Sequence, residues 1–323
     1  MSAQNRRKVS IWTVIVWGIN IIGGLSLLFV LIAYWSQKPV KASQNNPIIP
    51  ANTPPPTLTM APTRYFLPSV TPNPLSTQVL EQTATPFYLV NGPKPIIIGF
   101  SAGGMPLEVY RFGQGEKQDM IISGIHGGYE WNTIALADQL ITYINENPDV
   151  IPSDVTLYIL RDMNPDGDAR SHDELGRVNA NGVDLNRNFP VGWSASWDRS
   201  GCYDLTPTTS GTGPGSEPET RLVMNFIAAH KIQALINYHS AALGIFPGGT
   251  PWDKASTKLA QALAAVTTYP FPPLNTGCVY SGTLPDYAVS VGAAAVDMEL
   301  TNHKDTDFSM NLSALNVLVN FIK

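Results

Sequence analysis

The apolar positions of this chain follow two regimes. Residues 11–35 form one run of 25 residues without a charge, about 37 Å as a helix and so longer than the roughly 30 Å hydrocarbon core of a bilayer. Trp12 and Trp17 near one end and Tyr34 and Trp35 at the other suit interfacial aromatic belts, and Arg6, Arg7 and Lys8 precede the run. The pattern predicts a transmembrane signal anchor over 11–35, a cytoplasmic basic tail over 1–10, and the rest of the chain at the cell surface. The alternative is a cleaved signal peptide, for which Val40 and Ala42 offer small residues; it would leave the protein secreted. Residues 36–86 read as a linker. Between 43 and 86, ten prolines and eleven Ser or Thr accompany two charges, Arg64 and Glu81. Such a stretch buries too little apolar surface to fold and is expected to act as an extended spacer.

From residue 87 onward the apolar residues become periodic. Runs at 95–100, 107–112, 119–125, 155–160, 234–238 and 293–300 read as strands. Helical spacing over 132–144 and over 311–322 separates or follows them. Ser216-Glu217-Pro218-Glu219 reads as a capping box opening a helix to about residue 229, and Thr250-Pro251 as the start of another. Strands alternating with helices predict an α/β sandwich around a largely buried sheet, over residues 87–323.

Composition narrows the function. The net charge of the 323 residues is −5, but six of 20 basic residues and one of 25 acids precede residue 92, so the remainder carries 14 basic and 24 acidic residues. That acidity argues against nucleic acid, whose non-specific affinity comes from clustered Lys and Arg. The two cysteines, Cys202 and Cys278, are too few for a disulfide scaffold. Both fall beyond the spacer, on the side where a bond between them would survive.

The five histidines can be weighed singly. His126 follows the apolar run Ile121-Ile122-Ser123-Gly124-Ile125 and precedes Gly127-Gly128-Tyr129-Glu130; His239 ends the run Ala234-Leu235-Ile236-Asn237-Tyr238. In open α/β sheets ligands bind at the carboxyl ends of strands. One such histidine alone is ordinarily a hydrogen-bonded residue at a strand end. Two of them with Glu130 match the His₂Glu donor set of an open zinc site. Arg161-Asp162-Met163-Asn164-Pro165-Asp166-Gly167 reads as a turn. Residues 179–190 crowd amides, Asp184 and Arg187 into a loop, where Arg187 either grips a carboxylate through its planar fork or pairs with a protein acid. In the last strand, Asp297 and Glu299 share one face. They either pair with basic residues or face a cleft, and the cleft is favoured because basic residues are few.

The order of these motifs resembles the zinc metallocarboxypeptidases of the carboxypeptidase A family. The match runs from His126…Glu130 through Asn-Pro-Asp-Gly, Gly-Val-Asp-Leu-Asn-Arg-Asn-Phe, Ser-Glu-Pro-Glu-Thr and His239-Ser240 to Glu299. The resemblance implies a three-layer α/β/α sandwich with a mixed central sheet. It implies one zinc ion on His126, Glu130 and His239, with Asp184 orienting the first histidine. Asn186 and Arg187 would hold the substrate's terminal carboxylate, and Glu299 would be the general base. Arg177 is the best match to the arginine that stabilises the oxyanion, with Arg170 as the fallback. Tyr280 stands near the place of a substrate-capping tyrosine. The family spaces its first two ligands His-x-x-Glu, and this chain has one residue more; the two glycines could absorb it. Asp297 matches a position lining the side-chain pocket, which would favour Lys, Arg or diaminopimelate ends. The implied activity is carboxypeptidase hydrolysis of a peptide with a free C-terminal carboxylate, with cell-wall peptides a reasonable class for a protein held outside a membrane. A zinc deacylase of N-acyl amino acids, a non-catalytic domain of this fold, and a surface protein with purely structural histidines are the alternatives.

Overall fold

In the computed structural model, the described residues are 87, 89, 92–196, 208–241, 244–275, 277 and 280–323. The expected anchor and spacer, and the expected bond between Cys202 and Cys278, lie outside them. Among the described residues no helix is long and apolar enough to cross a membrane.

Seven strands form one mixed sheet in the order β1-β2-β4-β3-β5-β7-β6. They are β1 (Ile96–Phe100), β2 (Pro106–Gly113), β3 (Lys117–Ile122), β4 (Val155–Leu160), β5 (Ala234–Ser240), β6 (Ile245–Pro247) and β7 (Ala294–Leu300). The central strands β4, β3, β5 and β7 run parallel, and β1, β2 and β6 are antiparallel additions at the two sides. Parallel strands covered on both faces read as unbroken apolar runs, which is how β3, β4 and β5 stand out in the sequence.

The helices are α1 (Trp131–Glu146), α2 (Pro165–Arg170), α3 (Pro218–His230), α4 (Lys254–Ala264), α5 (Leu284–Ser290) and α6 (Phe308–Asn320). Alternate residues of each strand serve opposite faces. Ile121, Ile236 and Val296 pack with Leu136 and Leu140 of α1, Leu259 and Leu263 of α4, and Leu315 and Leu318 of α6. Met120, Ile122, Leu235 and Ala295 pack with Val223 and Ile227 of α3 and Leu284 and Ala288 of α5. The result is the three-layer arrangement.

Three local expectations are corrected. The capping box does not form: Glu217 is the N-cap, Pro218 opens α3, and Glu219 instead accepts the Ala102 N–H at 2.9 Å. The helix expected at Thr250-Pro251 begins at Lys254, where the Asp253 carboxylate accepts the Ser256 N–H at 2.9 Å. The Asn-Pro-Asp-Gly turn is the start of a helix, because Asn164 Oδ1 accepts the Gly167 N–H at 3.0 Å and Pro165 supplies a first-turn φ. Strand β6 and helix α5 were not anticipated; they span three and seven residues, too short for a period to register.

Candidate metal centre and substrate cavity

The parallel strands deliver their chemistry to one edge. His239 lies in β5, directly paired in register with Glu299 of β7. His126 follows β3 after a three-residue turn, and Gly127–Glu130 then forms a single 3₁₀ turn. Gly127 has φ +46°, and a Cβ there would lie 2.7 Å from the Gly176 carbonyl oxygen; one on Gly128 would lie 2.0 Å from that of Ser171. The two glycines thus let the loop pack against residues 171–176 while the 3₁₀ turn takes up the extra residue. His126 Nδ1 ends 2.7 Å from Glu130 Oε1.

Three donors converge. His239 Nδ1 lies 3.1 Å from Glu130 Oε2 and 3.2 Å from His126 Nδ1, and all three side chains are buried. Two imidazole nitrogens facing one another beside a carboxylate suit a cation, since each presents a lone pair toward one point. The outer nitrogens are held the other way: His126 Nε2 lies 3.2 Å from Asp184 Oδ1 and His239 Nε2 lies 3.2 Å from Asp297 Oδ1. On His126 the carboxylate keeps the proton on Nε2 and leaves Nδ1 free to ligate; His239 Nε2 has, besides Asp297, the Asn237 and Asn186 amide nitrogens at 2.8 and 3.3 Å. Burial alone would raise Glu130, but His126 and His239 outweigh it and hold the carboxyl below its ordinary range. The donor set fits a metal ion, and its N₂O composition fits zinc.

Around the donors stand the other anticipated residues. Arg177 donates from Nε and Nη2 to Asp184 Oδ2 at 3.1 and 2.9 Å, and its Nη1 lies 3.2 Å from His126 Nδ1 and 3.6 Å from Glu130 Oε1. Arg170 is turned elsewhere, donating to the carbonyl oxygens of Leu175, Val178 and Asn179. It braces the loop that carries Arg177. Asp184 is buried, yet Arg177, His126 and Arg187 overcome that burial and keep its carboxyl well below the usual range. Glu299 contrasts with it. Burial, opposed by His239 and Arg177 and reinforced by Glu130 and Asp297, pushes Glu299 up to about 8, and its Oε2 has no hydrogen-bond partner among the described residues.

Arg187 is buried, with Nη1 donating to the Asn186 carbonyl at 2.7 Å and the guanidinium carbon 5.1 Å from the centroid of the Tyr280 ring. Tyr280 is 38% exposed and meets Phe246 edge-on. Asn186 Oδ1 accepts the Leu284 N–H at 2.9 Å and its Nδ2 donates to Asp297 Oδ2 at 3.1 Å. Arg187, Asn186, Tyr280, Phe246 and Asp297 line one cavity of about 530 Å³ together with the three donors, Arg177 and Glu299.

Asp297, the expected pocket acid, is held by several partners inside the protein. It borders the cavity, but Asn237 Nδ2 donates to its Oδ1 at 2.7 Å, His239 Nε2 faces the same oxygen, and Asn186 takes the other. Its oxygens are thus taken up by the histidine it orients and by two amides. Besides Glu299, a cavity acid with an oxygen to spare is Asp286, whose Oδ1 accepts the Gly249 N–H at 2.6 Å and whose Oδ2 has no hydrogen-bond partner among the described residues. Asp286, Tyr129 and His303 line the cavity and were not anticipated. Asp286 sits in the first turn of α5, where an acid reads as helix chemistry.

Comparison with known proteins agrees with this geometry. The zinc carboxypeptidase family profile matches residues 93–316, which include every strand of the sheet. The chain is 31% identical to carboxypeptidase B of Astacus astacus over 202 residues, 53% of this chain and 64% of that protein. It is 33% identical to murein peptide amidase A of Escherichia coli K12 over 132 residues, 38% and 49% of the two chains. The chain thus spans less than two thirds of the length of either relative. Among solved structures, bovine thrombin-activatable fibrinolysis inhibitor in complex with tick carboxypeptidase inhibitor aligns with TM-score 0.59 at 20% identity, over 71% of this chain and 90% of that one. The murein-tripeptide amidase of E. coli O157 aligns with TM-score 0.54 at 23% identity, over 76% and 97%. These two share the fold. With the family profile extending across the whole sheet and three buried donors meeting at its carboxyl edge, the chain belongs to the zinc carboxypeptidase family, and His126, Glu130 and His239 are its zinc site.

Proposed function

We propose that residues 87–323 are a zinc-dependent metallocarboxypeptidase that hydrolyses the last peptide or amide bond of a substrate with a free C-terminal carboxylate. The observation that carries this reading is that a single cavity is lined by the zinc donors, by the buried Glu299 and by Arg187 with Asn186. Zinc, when bound, supplies a Lewis acid that polarises the scissile carbonyl. Arg187 and Tyr280 hold the terminal carboxylate and cover it, since a planar guanidinium matches a carboxylate with two parallel hydrogen bonds. That fixes which bond is presented. Arg177 faces the carbonyl oxygen and stabilises the charge that grows on it. Glu299 takes a proton from the attacking water on a carboxylate oxygen and delivers it to the departing amine nitrogen. Its raised proton affinity in a buried site suits both halves of that transfer.

For the substrate's last side chain, we favour a cationic group, Lys, Arg or diaminopimelate. The support is the acidity of the cavity, with Asp286 having a carboxylate oxygen to spare, and the likeness to relatives named carboxypeptidase B and murein peptide amidase. A charge-free run over 11–35 after Arg6, Arg7 and Lys8 supports a single-pass anchor, with the catalytic domain outside on the 36–86 spacer. Cell-wall peptides would then be within reach.

A peptide-library digest with and without chelator tests the activity: single-residue loss from the C-terminus, abolished by chelation and restored by zinc, is expected. Internal cleavage, or release of an acyl group with no action on any peptide, would reject it. Asp286→Ala should lower the preference for Lys over Phe ends about tenfold, on the order of 1.4 kcal/mol. An unchanged preference rejects the assignment of Asp286.

A further inference from the structure

His303 enters the cavity wall from the loop after β7, four residues beyond Glu299. Its ring centroid lies 4.8 Å from that of Tyr129, and the Arg177 guanidinium carbon lies 6.0 Å from the centroid of the same Tyr129 ring. Contacts gather the cavity residues into two groups: Arg187 with Tyr280 and Phe246, and Arg177 with Tyr129 and His303.

A buried relay fixes the tautomer of the His303 ring. Asn132 Nδ2 lies 2.7 Å from the Asn302 carbonyl oxygen and 2.9 Å from that of Asp305. Carbonyl oxygens only accept, so the amide group donates to both and Asn132 Oδ1 must point the other way. That oxygen lies 3.0 Å from Ser240 Oγ. It can only accept, so it takes the one hydroxyl proton of Ser240. Ser240 Oγ also lies 3.0 Å from His303 Nδ1. With its proton committed, the hydroxyl can only accept there, and Nδ1 must carry the ring hydrogen. The neutral ring then has a lone pair at Nε2, which hydrogen-bonds to no protein atom among the described residues. Asn132 is fully buried and Ser240 nearly so, which shields the relay from exchange with solvent.

We propose that His303 is a recognition residue for the acyl side of the scissile bond: its Nε2 accepts a hydrogen bond from a donor on the substrate residue preceding the cleavage point. This rests on the carboxypeptidase reading above, which puts the terminal carboxylate on Arg187 and the scissile carbonyl at Arg177; His303, joined to Arg177 through the Tyr129 ring, is then beside the residue on the acyl side. The fixed tautomer selects by chemistry. A hydroxyl, amide N–H or ammonium at that position gains a partner, an aliphatic side chain gains none, and a carboxylate meets a lone pair. Asn132 and Ser240 are positioning residues, which act by holding the imidazole hydrogen on Nδ1.

The test uses the zinc-loaded full chain at pH 8 and three peptides identical except for Asn, Leu or Asp before the same C-terminal residue. One neutral hydrogen bond is worth about 0.5–1.5 kcal/mol, so kcat/KM for the Asn peptide should exceed the other two by roughly 2- to 13-fold. His303→Phe, which keeps an aromatic ring against Tyr129, should bring the Asn peptide down to the Leu peptide with zinc stoichiometry retained. Long-range ¹H–¹⁵N spectra of the wild type should show the His303 hydrogen on Nδ1, and Ser240→Ala should convert this to a mixture of tautomers. The same ranking of peptides in wild type and His303→Phe, preference for the Asp peptide, or a hydrogen on Nε2 in the wild type would overturn the proposal. Calorimetric binding of the three peptides to Glu299→Gln separates the two readings. Asn-selective binding that His303→Phe removes, without turnover of any peptide by the wild type, would reject the peptidase and leave the recognition residue standing.

Discussion

Asp184→Asn is a sharp test of the site because one carboxylate does two incompatible jobs for an amide. Asp184 Oδ1 accepts the Asn186 N–H at 3.0 Å and faces His126 Nε2 at 3.2 Å, while Oδ2 receives the Arg177 fork at 3.1 and 2.9 Å. An asparagine has one oxygen. If that oxygen turns to Arg177, the NH₂ group faces Nε2 of His126 and drives the ring hydrogen to Nδ1, where it blocks ligation. If it turns to His126, the NH₂ group faces a buried guanidinium that has lost its closest countercharge; Glu130 Oε1 is 3.6 Å away. Breaking a buried pair from one side costs about 3–5 kcal/mol. Losing a carboxylate behind a metal-ligating histidine weakens metal binding about 10- to 100-fold. Urea denaturation of the zinc-stripped protein reads the first quantity, and competition titration against a chromophoric chelator reads the second. Adding Arg177→Met should restore most of the stability, because no charge is left unpaired, while zinc affinity stays below wild type because His126 retains only a neutral amide acceptor. A zinc affinity within twofold of wild type in Asp184→Asn would refute the reasoning, as would a double variant less stable than the single one.

Three further outcomes follow from the same contacts. Gly128→Ala places a Cβ 2.0 Å from the Ser171 carbonyl oxygen, so the loop must shift and Glu130 with it; zinc stoichiometry should fall well below one per chain while far-ultraviolet circular dichroism stays native, and full zinc loading would count against the glycine argument. Glu299→Gln should keep zinc and lose turnover by at least 100-fold, on the scale of general acid–base catalysis, and wild-type rates would remove Glu299 from its role. Asp119 is buried beside Lys117 at 2.7 Å, and burial, opposed by that lysine, pushes its carboxyl from 3.8 to about 6. The native state then binds more protons than the unfolded one between these values, so stability falls as pH rises through that window. Asp119→Asn should remove a fall of up to about 3 kcal/mol, visible as a stability difference that grows from pH 4 to pH 6 and then levels off; a difference that shrinks over that range would reverse the sign of the argument.

The sequence exposed those parts of the fold whose burial is two-sided. Met120–Ile122 and Leu235–Ile236 are buried on both faces by helices, so their runs are unbroken and the histidine at each carboxyl end stands out. Parts that depend on a single contact did not show. Helix α2 exists because Asn164 caps it, and a turn and a capped helix share the same letters. His303 belongs to no period, and its importance lies in Asn132 and Ser240, which the chain places 171 and 63 residues away. Asp297 marks the boundary between the two kinds of information. Strand alternation placed it on the face of Glu299, and it does border the cavity. Alternation says nothing about the neighbouring strand, where register sets Asn237 opposite Asp297 and His239 opposite Glu299. That register brings the Asn237 amide to 2.7 Å from Asp297 and turns an apparent pocket acid into the anchor of a zinc ligand. The contacts of Asp297 and Asp286 therefore predict different phenotypes. Asp297→Ala should loosen His239 and weaken zinc binding for every substrate alike, whereas Asp286→Ala should change the ranking of substrates and leave zinc in place. Measuring zinc affinity and the Lys-to-Phe ratio on both variants sets the two acids apart, and a ranking that shifts only in Asp297→Ala would return the pocket to that residue.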